Sequence, residues 1–496
     1  MKVLKILALM LSLVFLSRYT LNLNPDEEAQ GEVPKIIIVM EKTTEILEDS
    51  SMVIDKINEY IRPLISAEID ILYIEDSVYG KNLNYMFDAT EQVDVVFLPY
   101  LDTVKQFQSS GKLLPLDQLM SQYGDGILEN IIPDEMSIGK INDRLYGIPT
   151  NRSKGYVYGF QYRKDIAERY GIDISGVEKL EDLTSIFESL KKSNPEMRPF
   201  VPPFYARTWD GLDDYYYPFG VLMDYGQTTE VVNLYETKEY ADYIQLMYEW
   251  NQAGYMVNTT LNYSHDYHYY LRSDEVFCRL NTDSPGMLEQ ESRILGKQLG
   301  YVALSPVFTC SVDLTYALWS VTSSCKHPDK AMQFLNLMYS DPVIANLLYN
   351  GIEGEHYEFV DQSKGIIDFP EGFDSESARY MQSHGWKFGN QFITYVWEGN
   401  STDLYSDTKK YNAESLKSKA LGFSFDTSAV QEEYMDCNNV KSKYAHGLEI
   451  GVLNPRIYLP KLLDELDKAG IDIIISEKQR QLDDWLKDKN TMEADH

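Results

Sequence analysis

Cysteine is scarce in this sequence. The 496 residues include four cysteines, Cys278, Cys310, Cys325 and Cys437, and no two of them form a C-x-x-C pair. This spacing excludes a disulfide-rich scaffold and gives no support to a zinc ribbon or a thioredoxin-like redox site. A single bridge between Cys310 and Cys325 remains open, because sequence alone does not tell whether two cysteines approach closely enough to bond.

Basic residues are also few compared with acidic ones. The chain has 45 basic and 77 acidic residues, which gives a formal net charge of −32. Such a chain repels the phosphates of nucleic acids and of anionic membrane surfaces, so we expect no nucleic-acid partner. The acidic residues are scattered along the chain, which indicates a solvated surface.

Catalytic and cofactor motifs are missing. The sequence has no G-x-S-x-G motif, no P-loop and no dinucleotide-binding glycine pattern. The segment HDYHYY places His265 and His268 three residues apart, but no third ligand accompanies them, so we expect no metal and no cofactor. Carboxylates are abundant, yet no motif selects a pair of them for glycoside hydrolysis.

A long apolar run occurs only near the N-terminus. Lys2 and Lys5 precede residues 6–16, which are almost wholly apolar. This order is typical of a secretory signal, and the run is shorter than the roughly 20 residues of a membrane-spanning helix. Neither a lipid-attachment cysteine nor an A-x-A cleavage site follows. We predict that residues 1–24 are a signal or anchor segment, and that the protein is extracellular, secreted or tethered to the outer face of the membrane.

The next part of the chain has the pattern of an α/β lobe. Residues 35–40 (KIIIVM), 69–74 and 93–98 are apolar runs of strand length. Such runs suit strands that are buried on both faces of a parallel sheet. Apolar residues at helical spacing separate the first two runs, which predicts right-handed strand–helix–strand connections.

Later segments predict a second α/β unit and a helical end. A hairpin is expected around Asn142 and Asp143, and a new strand–helix unit begins near Gly155. The segment LGYVALSPV, from residue 299, predicts a strand that returns to the first lobe. Two helices are expected near the C-terminus, around residues 459–469 and 476–487.

Four segments carry motifs of a known protein family. They are VDVVFLPYLDTVKQFQSSGKLLPLDQLM, GKINDRLYGIP, KHPDKAMQFLNLMYSDPVIANLLYNGIEGEHYEF and LPKLLDELDKAGIDIIISEKQRQLDDW. In this order they resemble the extracellular solute-binding proteins of ABC importers, of the family-1 type. The last segment resembles the C-terminal domain of unknown function of a lipoprotein-type branch. The sequence departs from that branch because it lacks the lipobox cysteine.

The resemblance implies an α/β fold that is periplasmic-binding-protein-like, type II, with two α/β lobes, a hinge and a central ligand cleft. We predict lobe 1 from residues 35–149 plus 301–340. Lobe 2 is predicted from residues 150–300 plus 341–490, including a C-terminal helical region at 440–490. A hinge motion would close the cleft around the ligand.

The function that the resemblance implies is capture of a small solute and its delivery to the permease subunits of an ABC transporter. The protein is expected to be a monomer and not an enzyme. The 38 tyrosines favour a sugar or oligosaccharide as the solute, because aromatic rings combine an apolar face with a polar tip. Two alternatives stay open: a ligand-sensing ectodomain on the same scaffold, and an exported polysaccharide-active enzyme.

Candidate ligand contacts are aromatic and polar residues at predicted strand ends, beside the hinge, or in polar loops. Aromatic rings can stack on sugar rings while amides and charged groups bond hydroxyls. The candidates are Glu41, Lys42, Tyr100, Asn151, Arg152, Trp209, Asp210, Asn281, Asp283, Trp386, Asn390 and Gln391. By contrast, we expect Glu353, His356 and Tyr357, in the turn that resembles a family motif, to be structural.

Overall fold

The computed structural model describes residues 33–43, 46–89, 92–202, 208–212, 218–257, 267–382 and 385–494. The predicted signal segment at residues 1–24 and His265 lie outside the described residues. Within the described ranges, no helix is both long enough and apolar enough to cross a membrane.

The first sheet is mostly parallel. In spatial order its strands are Glu68–Glu75, Lys35–Lys42, Val95–Tyr100, Tyr316–Val321 and Ile148–Pro149. Neighbours among the first three pair in parallel, whereas Tyr316–Val321 runs antiparallel to both of its neighbours. The strands predicted at residues 35–40, 69–74 and 93–98 are confirmed, with ends displaced by a few residues.

Both faces of this sheet are covered, which explains the continuous apolar run of its central strand. Ile36, Ile38 and Met40 belong to one hydrophobic cluster, and Val39 belongs to another on the opposite face. Alternate residues of a strand point to opposite faces, so a strand between two cores is apolar throughout. The helices that supply these cores are Ser50–Ile65, Asp76–Asp88, Leu101–Ser109, Asp117–Tyr123, Asp125–Asn130, Pro328–Ser340 and Pro342–Asn350.

The predicted hairpin lies directly before the last strand of the first sheet. Residues Lys140–Ile141 and Arg144–Leu145 pair antiparallel. Asn142 and Asp143 between them have φ angles of 50° and 61°, and a two-residue turn with both central φ positive suits the twist of a hairpin. The short helix Pro133–Ile138 precedes this hairpin.

The second sheet is mixed and mostly antiparallel. In spatial order its strands are Leu299–Ala303, Val157–Arg163, Cys278–Asp283 and Phe200–Val201. Helices of the same region are Lys164–Tyr170, Leu183–Ser193, Lys238–Gln252, Tyr267–Arg272 and Met287–Leu295.

The strand from residue 299 does not return to the first sheet, so that prediction was wrong. Leu299–Ala303 pairs antiparallel with Val157–Arg163. The two backbones approach closely at Gly159, where a Cβ atom would lie 2.0 Å from the carbonyl oxygen of Val302. The strand therefore belongs to the second sheet. Its residues 301–303 had been assigned to lobe 1 from the sequence.

The C-terminal helices form a separate core next to the second lobe. They span Gln431–Glu449, Pro455–Ala469 and Ile471–Ala494, so the two predicted helices are confirmed and are longer than expected. Helix Lys238–Gln252 joins both cores: its Tyr240 packs with the C-terminal helices, and its Trp250 packs in the core of the second sheet.

Several segments cross between the two sheets and form the hinge. Asn151, which follows the first sheet, donates its backbone N–H to the carbonyl of Gly389 at 2.8 Å, and its own carbonyl accepts from Gln391 at 2.9 Å. Beyond this crossing, helix Leu404–Glu414 and a small sheet made of Glu358–Asp361, Ile366–Asp368 and Val396–Trp397 complete the region.

The four cysteines all lie in the described ranges, and each of them is a free thiol. The bridge that the sequence left open between Cys310 and Cys325 is therefore not formed. Cys310 donates instead toward the carbonyl of Trp209, with 3.7 Å between sulfur and oxygen.

Candidate ligand-binding cleft

A cleft of about 410 Å³ is lined by side chains from both lobes. Tyr100 is the last residue of a parallel strand of the first sheet, and Thr282 lies near the end of a strand of the second. Ligands of open α/β sheets bind outside the carboxyl ends of the strands. The volume falls within the range of about 300–1,000 Å³ that is usual for small-molecule sites.

One side of the cleft is a row of aromatic rings over an arginine. We call Tyr100, Arg152, Tyr316 and Trp386 the first wall. The ring centroids of Tyr100 and Tyr316 are 5.2 Å apart, and those of Tyr316 and Trp386 are 5.1 Å apart. The guanidinium carbon of Arg152 lies 5.6 Å from the ring centroids of both Tyr316 and Trp386. The wall thus offers apolar ring faces with a fixed positive charge beside them.

Arg152 holds this wall in place through hydrogen bonds. The residue is buried, and its Nη2 donates to the carbonyl of Asp313 at 2.6 Å while its Nη1 donates to the Tyr156 hydroxyl at 2.9 Å. Its Nη2 also donates to the carbonyl of Tyr316 at 3.4 Å, which connects the hinge to the strand that carries Tyr316. A ligand therefore meets side chains that are already ordered, which reduces the entropic cost of binding.

The opposite side of the cleft is built on a buried group of charges. We call Tyr267, His268, Arg279 and Glu291 the second wall; Tyr267 and Glu291 line the cleft. Glu291 accepts from the Tyr267 hydroxyl at 3.1 Å and from Arg279 at 3.4 Å, and its carboxylate lies 3.1 Å from Nε2 of His268. The Arg279 guanidinium also lies 3.3 Å from the Tyr267 ring centroid.

The charges of the second wall compensate each other. Burial alone would raise the pKa of Glu291, but the hydrogen bond with His268 and the charge of Arg279 outweigh it and hold that pKa below its ordinary value. The imidazole of His268 therefore interacts with the carboxylate of Glu291. Among the residues that the structure describes, no group of three histidines, cysteines or carboxylates is arranged to hold a metal ion.

Two polar residues of strand Cys278–Asp283 flank Thr282 at the cleft. Burial, followed by the nearby charge of Glu289, raises the pKa of Asp283 to about 7. The side-chain nitrogen of Asn281 is buried and has no hydrogen-bond partner among the described residues. A buried amide without a partner is costly, although neither Asn281 nor Asp283 itself lines the cleft.

Four of the twelve candidate residues come together in the cleft. Tyr100, Arg152, Trp386 and Gln391 all line it. Gln391 accepts a hydrogen bond from the backbone of Ser153 at 3.4 Å, which ties it to the hinge. The next two candidates, Asn281 and Asp283, are the strand neighbours of a lining residue.

Three candidates make structural contacts around the first sheet, outside the cleft lining. Glu41 is buried and pairs with buried Lys387 at 3.4 Å. Lys42 pairs with Glu75 at 3.2 Å on the neighbouring strand. The side chain of Asn151 donates to the carbonyl of Asn130 at 2.8 Å. A position after a strand thus brings a residue near the cleft edge without deciding which way its side chain points.

The remaining three candidates also lie outside the lining. Trp209 packs against the C-terminal core, and fully buried Asp210 accepts from the backbone and hydroxyl of Ser311 at 2.9 and 2.6 Å. The Asn390 side chain donates to the carbonyl of Tyr339 at 2.9 Å. Asp210 and Asn390 satisfy backbone groups, which is a common task of buried polar side chains.

Several residues that line the cleft were not among the candidates. They include Tyr156, Tyr267, Glu291, Arg293, Tyr316, Trp397 and Tyr405. Trp397 lies in the same aromatic-rich segment as Trp386, and that enrichment could have identified it. Glu291 and Arg293 lie on helix Met287–Leu295, where a charged residue resembles any exposed one and gives no local signal.

Two family models match the chain. Residues 67–270 match the model of the bacterial extracellular solute-binding protein family. Residues 419–487 match a domain of unknown function, DUF3502. The second match covers most of the three C-terminal helices.

Individual proteins are similar along most of the chain. A carbohydrate ABC transporter substrate-binding protein from Streptococcus pneumoniae serotype 4 is 25% identical over 440 residues, which are 87% of each chain. The crystal structure of the N-glycan transport solute binding protein NgtS from Streptococcus pneumoniae is 24% identical with a TM-score of 0.81, covering 92% of this chain and 100% of that one. The alginate-binding protein AlgQ2 is 14% identical with a TM-score of 0.63, covering 92% and 99%.

These matches define the class of protein. The fold is the type II periplasmic-binding-protein fold, with two α/β lobes and a ligand cleft between them. The chain combines a family-1 type extracellular solute-binding domain with a C-terminal DUF3502 domain, so the resemblance noted in its motifs is confirmed.

Proposed function

We propose that this protein captures a sugar or oligosaccharide in its interlobe cleft and delivers it to the permease of an ABC transporter. The observation that carries the proposal is the first wall, where Tyr316 and Trp386 stand over Arg152 and line the cleft. Aromatic faces suit the C–H surface of a sugar, and the polar groups of the opposite wall suit its hydroxyls. The names of the relatives from Streptococcus pneumoniae support the same solute class.

The proposal includes ligand contacts by Tyr100, Arg152, Trp386 and Gln391 from the first wall and hinge, and by Asn281 and Asp283 from the second lobe. In this account the protein binds without catalysis and acts as a monomer outside the cell, secreted or held by its N-terminal segment. Closure of the two lobes around the saccharide would present the bound form to the permease.

We also propose revised lobe boundaries. Residues 299–303 belong with the second sheet, and helix Pro342–Asn350 belongs with the first because its Ile344 and Leu348 pack in a core of the first sheet. Limited proteolysis between the lobes, with mass analysis of the fragments, tests this division.

Calorimetric titration against a panel of saccharides tests the proposed function. The panel contains Man1GlcNAc and Man5GlcNAc, which are the ligands of two solved NgtS complexes, together with maltose and cellobiose oligomers. We expect saturable binding of at least one saccharide, and mass spectrometry of the recovered ligand should find it unchanged. Absence of binding across the panel would contradict the proposal, and release of shorter products would point to an enzyme.

A further inference from the structure

A second cavity lies beyond the cleft. It has a volume of about 620 Å³, and its lining includes Arg272, Arg293, Lys297, Phe369, Phe373 and Glu376. We call it the outer cavity. The cleft has about 410 Å³. Six of its eleven lining residues are charged and two are phenylalanines in the outer cavity, so the outer cavity offers polar groups for hydroxyls beside aromatic faces.

A small space, which we call the neck, lies between the outer cavity and the cleft. The neck has about 20 Å³, which is room for about one water molecule. It shares Gln290, Tyr349 and Trp397 with the cleft, and Phe369 with the outer cavity. Among the lining residues that the structure describes, Arg293 is common to all three spaces. The side chain of Arg293 is therefore the partition between the cleft and the outer cavity.

Arg293 makes no hydrogen bond or ion pair through its side chain to any residue that the structure describes. Its guanidinium carbon lies 4.7 Å from the ring centroid of Trp397, and burial lowers its pKa. A guanidinium carries five N–H donors, and those of Arg293 are available to a ligand. Donors at the junction of two cavities are suited to a ligand that passes from one into the other.

Aromatic rings continue along the same path. Phe369 packs on Trp397 with ring centroids 4.9 Å apart, and Phe373 follows in the outer cavity. Phe373 is 49% exposed and lies outside the hydrophobic cores. An exposed ring in a cavity is an available stacking surface. The aromatic lining of the cleft thus continues outward through Trp397, Phe369 and Phe373.

We propose that the outer cavity is a second subsite of the cleft, which binds the far end of an oligosaccharide whose near end stacks on the first wall. Arg293 donates hydrogen bonds at the junction, and its long side chain shifts to let the saccharide chain through the neck. Phe373 stacks on the terminal sugar rings. This inference rests on the proposed function and adds that the natural ligand is an oligosaccharide too long for the cleft alone.

Calorimetry with Man1GlcNAc and Man5GlcNAc on the full chain and on Phe373→Ala tests the inference. We expect the wild-type protein to bind one Man5GlcNAc per chain, more tightly than Man1GlcNAc. The variant should bind Man5GlcNAc about fivefold more weakly, or by about 1 kcal/mol, and Man1GlcNAc unchanged, because one stacking contact is lost. Phe373→Tyr should restore the affinity. Tyr85→Ala, which removes a ring that is 62% exposed on the first lobe, should change neither.

Several results would overturn the inference. Equal wild-type affinities for the two saccharides would mean that the outer cavity adds no contact. If Phe373→Ala weakened the binding of both saccharides equally, the ring would affect affinity through the protein's structure and not by contact with the far end of the ligand. Two molecules of Man1GlcNAc per chain would make the outer cavity an independent site. Absence of binding by either probe while other saccharides of the panel bind would overturn this inference alone, whereas no binding at all would overturn the proposed function with it.

Discussion

The two walls of the cleft are built in opposite ways. The first wall is a row of rings around Arg152, whose guanidinium donates to backbone carbonyls and to a tyrosine hydroxyl. The second wall consists of side chains that hold each other, with Glu291 at the centre of His268, Arg279 and Tyr267. Removing one ring from the first wall leaves the hydrogen bonds of Arg152 in place. Removing Glu291 from the second wall leaves two basic groups without their partner.

This difference separates binding from stability. Stacked rings contribute mainly through the area that they offer to a ligand, so changes in the first wall should act on affinity. A buried ion pair adds little net stability when intact, but breaking it exposes the cost of an unpaired buried charge. Changes in the second wall should therefore act first on folding.

The largest expected effect is that of Glu291→Ala on the free energy of unfolding. Loss of the carboxylate leaves Arg279 and His268 buried without the charge that pairs with them, while Arg279 keeps its bond to Gln161 at 3.0 Å, and we expect a decrease of about 3–5 kcal/mol. Urea denaturation followed by circular dichroism measures it. Glu291→Gln, which keeps hydrogen-bonding atoms, is the matched control and should lose less. A decrease below about 1 kcal/mol in Glu291→Ala would show that the charges are not coupled in this way.

Stability should also depend on pH through Asp283, at the end of the strand that carries Arg279 of the second wall. Burial and the charge of Glu289 raise the pKa of Asp283 from 3.8 to about 7. The folded state therefore binds the proton more tightly than the unfolded state does. The resulting stabilisation is complete below about pH 4, is lost as the pH rises toward about 7, and does not change further above that value.

Asp283→Asn has a neutral side chain at every pH, so it should not show this loss of stability. We expect it to be more stable than the wild-type protein near pH 8 by up to about 4 kcal/mol, with the difference shrinking toward pH 4. Unfolding free energies of both proteins across this range measure it. Buried Glu449, whose pKa is also about 7, is present in both proteins and cancels. A difference that does not vary with pH would contradict the assignment.

In the first wall, Trp386→Ala should weaken saccharide binding by about 30-fold, or about 2 kcal/mol, with a smaller effect on folding. The reason is loss of the indole face that lines the cleft beside Arg152 and Tyr316. Calorimetry with a saccharide from the panel measures the affinity. Trp386→Phe keeps a ring and should recover most of it. Unchanged binding in Trp386→Ala would mean that the ligand does not contact this wall.

The smallest effect is expected at a contact that joins the first lobe to the C-terminal region away from both walls. Lys105 donates to the hydroxyl of Ser424 at 2.7 Å, and that hydroxyl donates to Asp102 at 3.1 Å. Such partly exposed polar contacts contribute less than about 1 kcal/mol. Lys105→Ala should change saccharide affinity by less than about fivefold. A larger change would make this contact a determinant of lobe closure comparable with the walls.

The first lobe could be predicted from the sequence to a large extent. Its strands are buried on both faces, so they are read directly as apolar runs such as KIIIVM, and the turn at Asn142 and Asp143 is specified by residue type. The strand Leu299–Ala303 could not be assigned, because its partner is set by the close approach at Gly159 and not by its own composition.

Neither the rings nor the charges of the site were fully predictable: Arg152 was a candidate, whereas Tyr316 was not. Trp386 and Tyr100 follow from aromatic residues in a polar segment and at a strand end. Glu41 follows from the same strand-end argument, yet its side chain turns to buried Lys387. Glu291 and Arg293 reach the cleft from a helix whose orientation is set by tertiary packing, which the local sequence does not contain.

A crystal structure with a saccharide that binds in the calorimetric panel tests the central claim most directly. We predict one ligand between the lobes, with a sugar ring stacked on Trp386 and hydroxyls bonded to groups of the second lobe such as Asn281. A ligand bound outside the cleft, or in contact with only one lobe, would contradict the account.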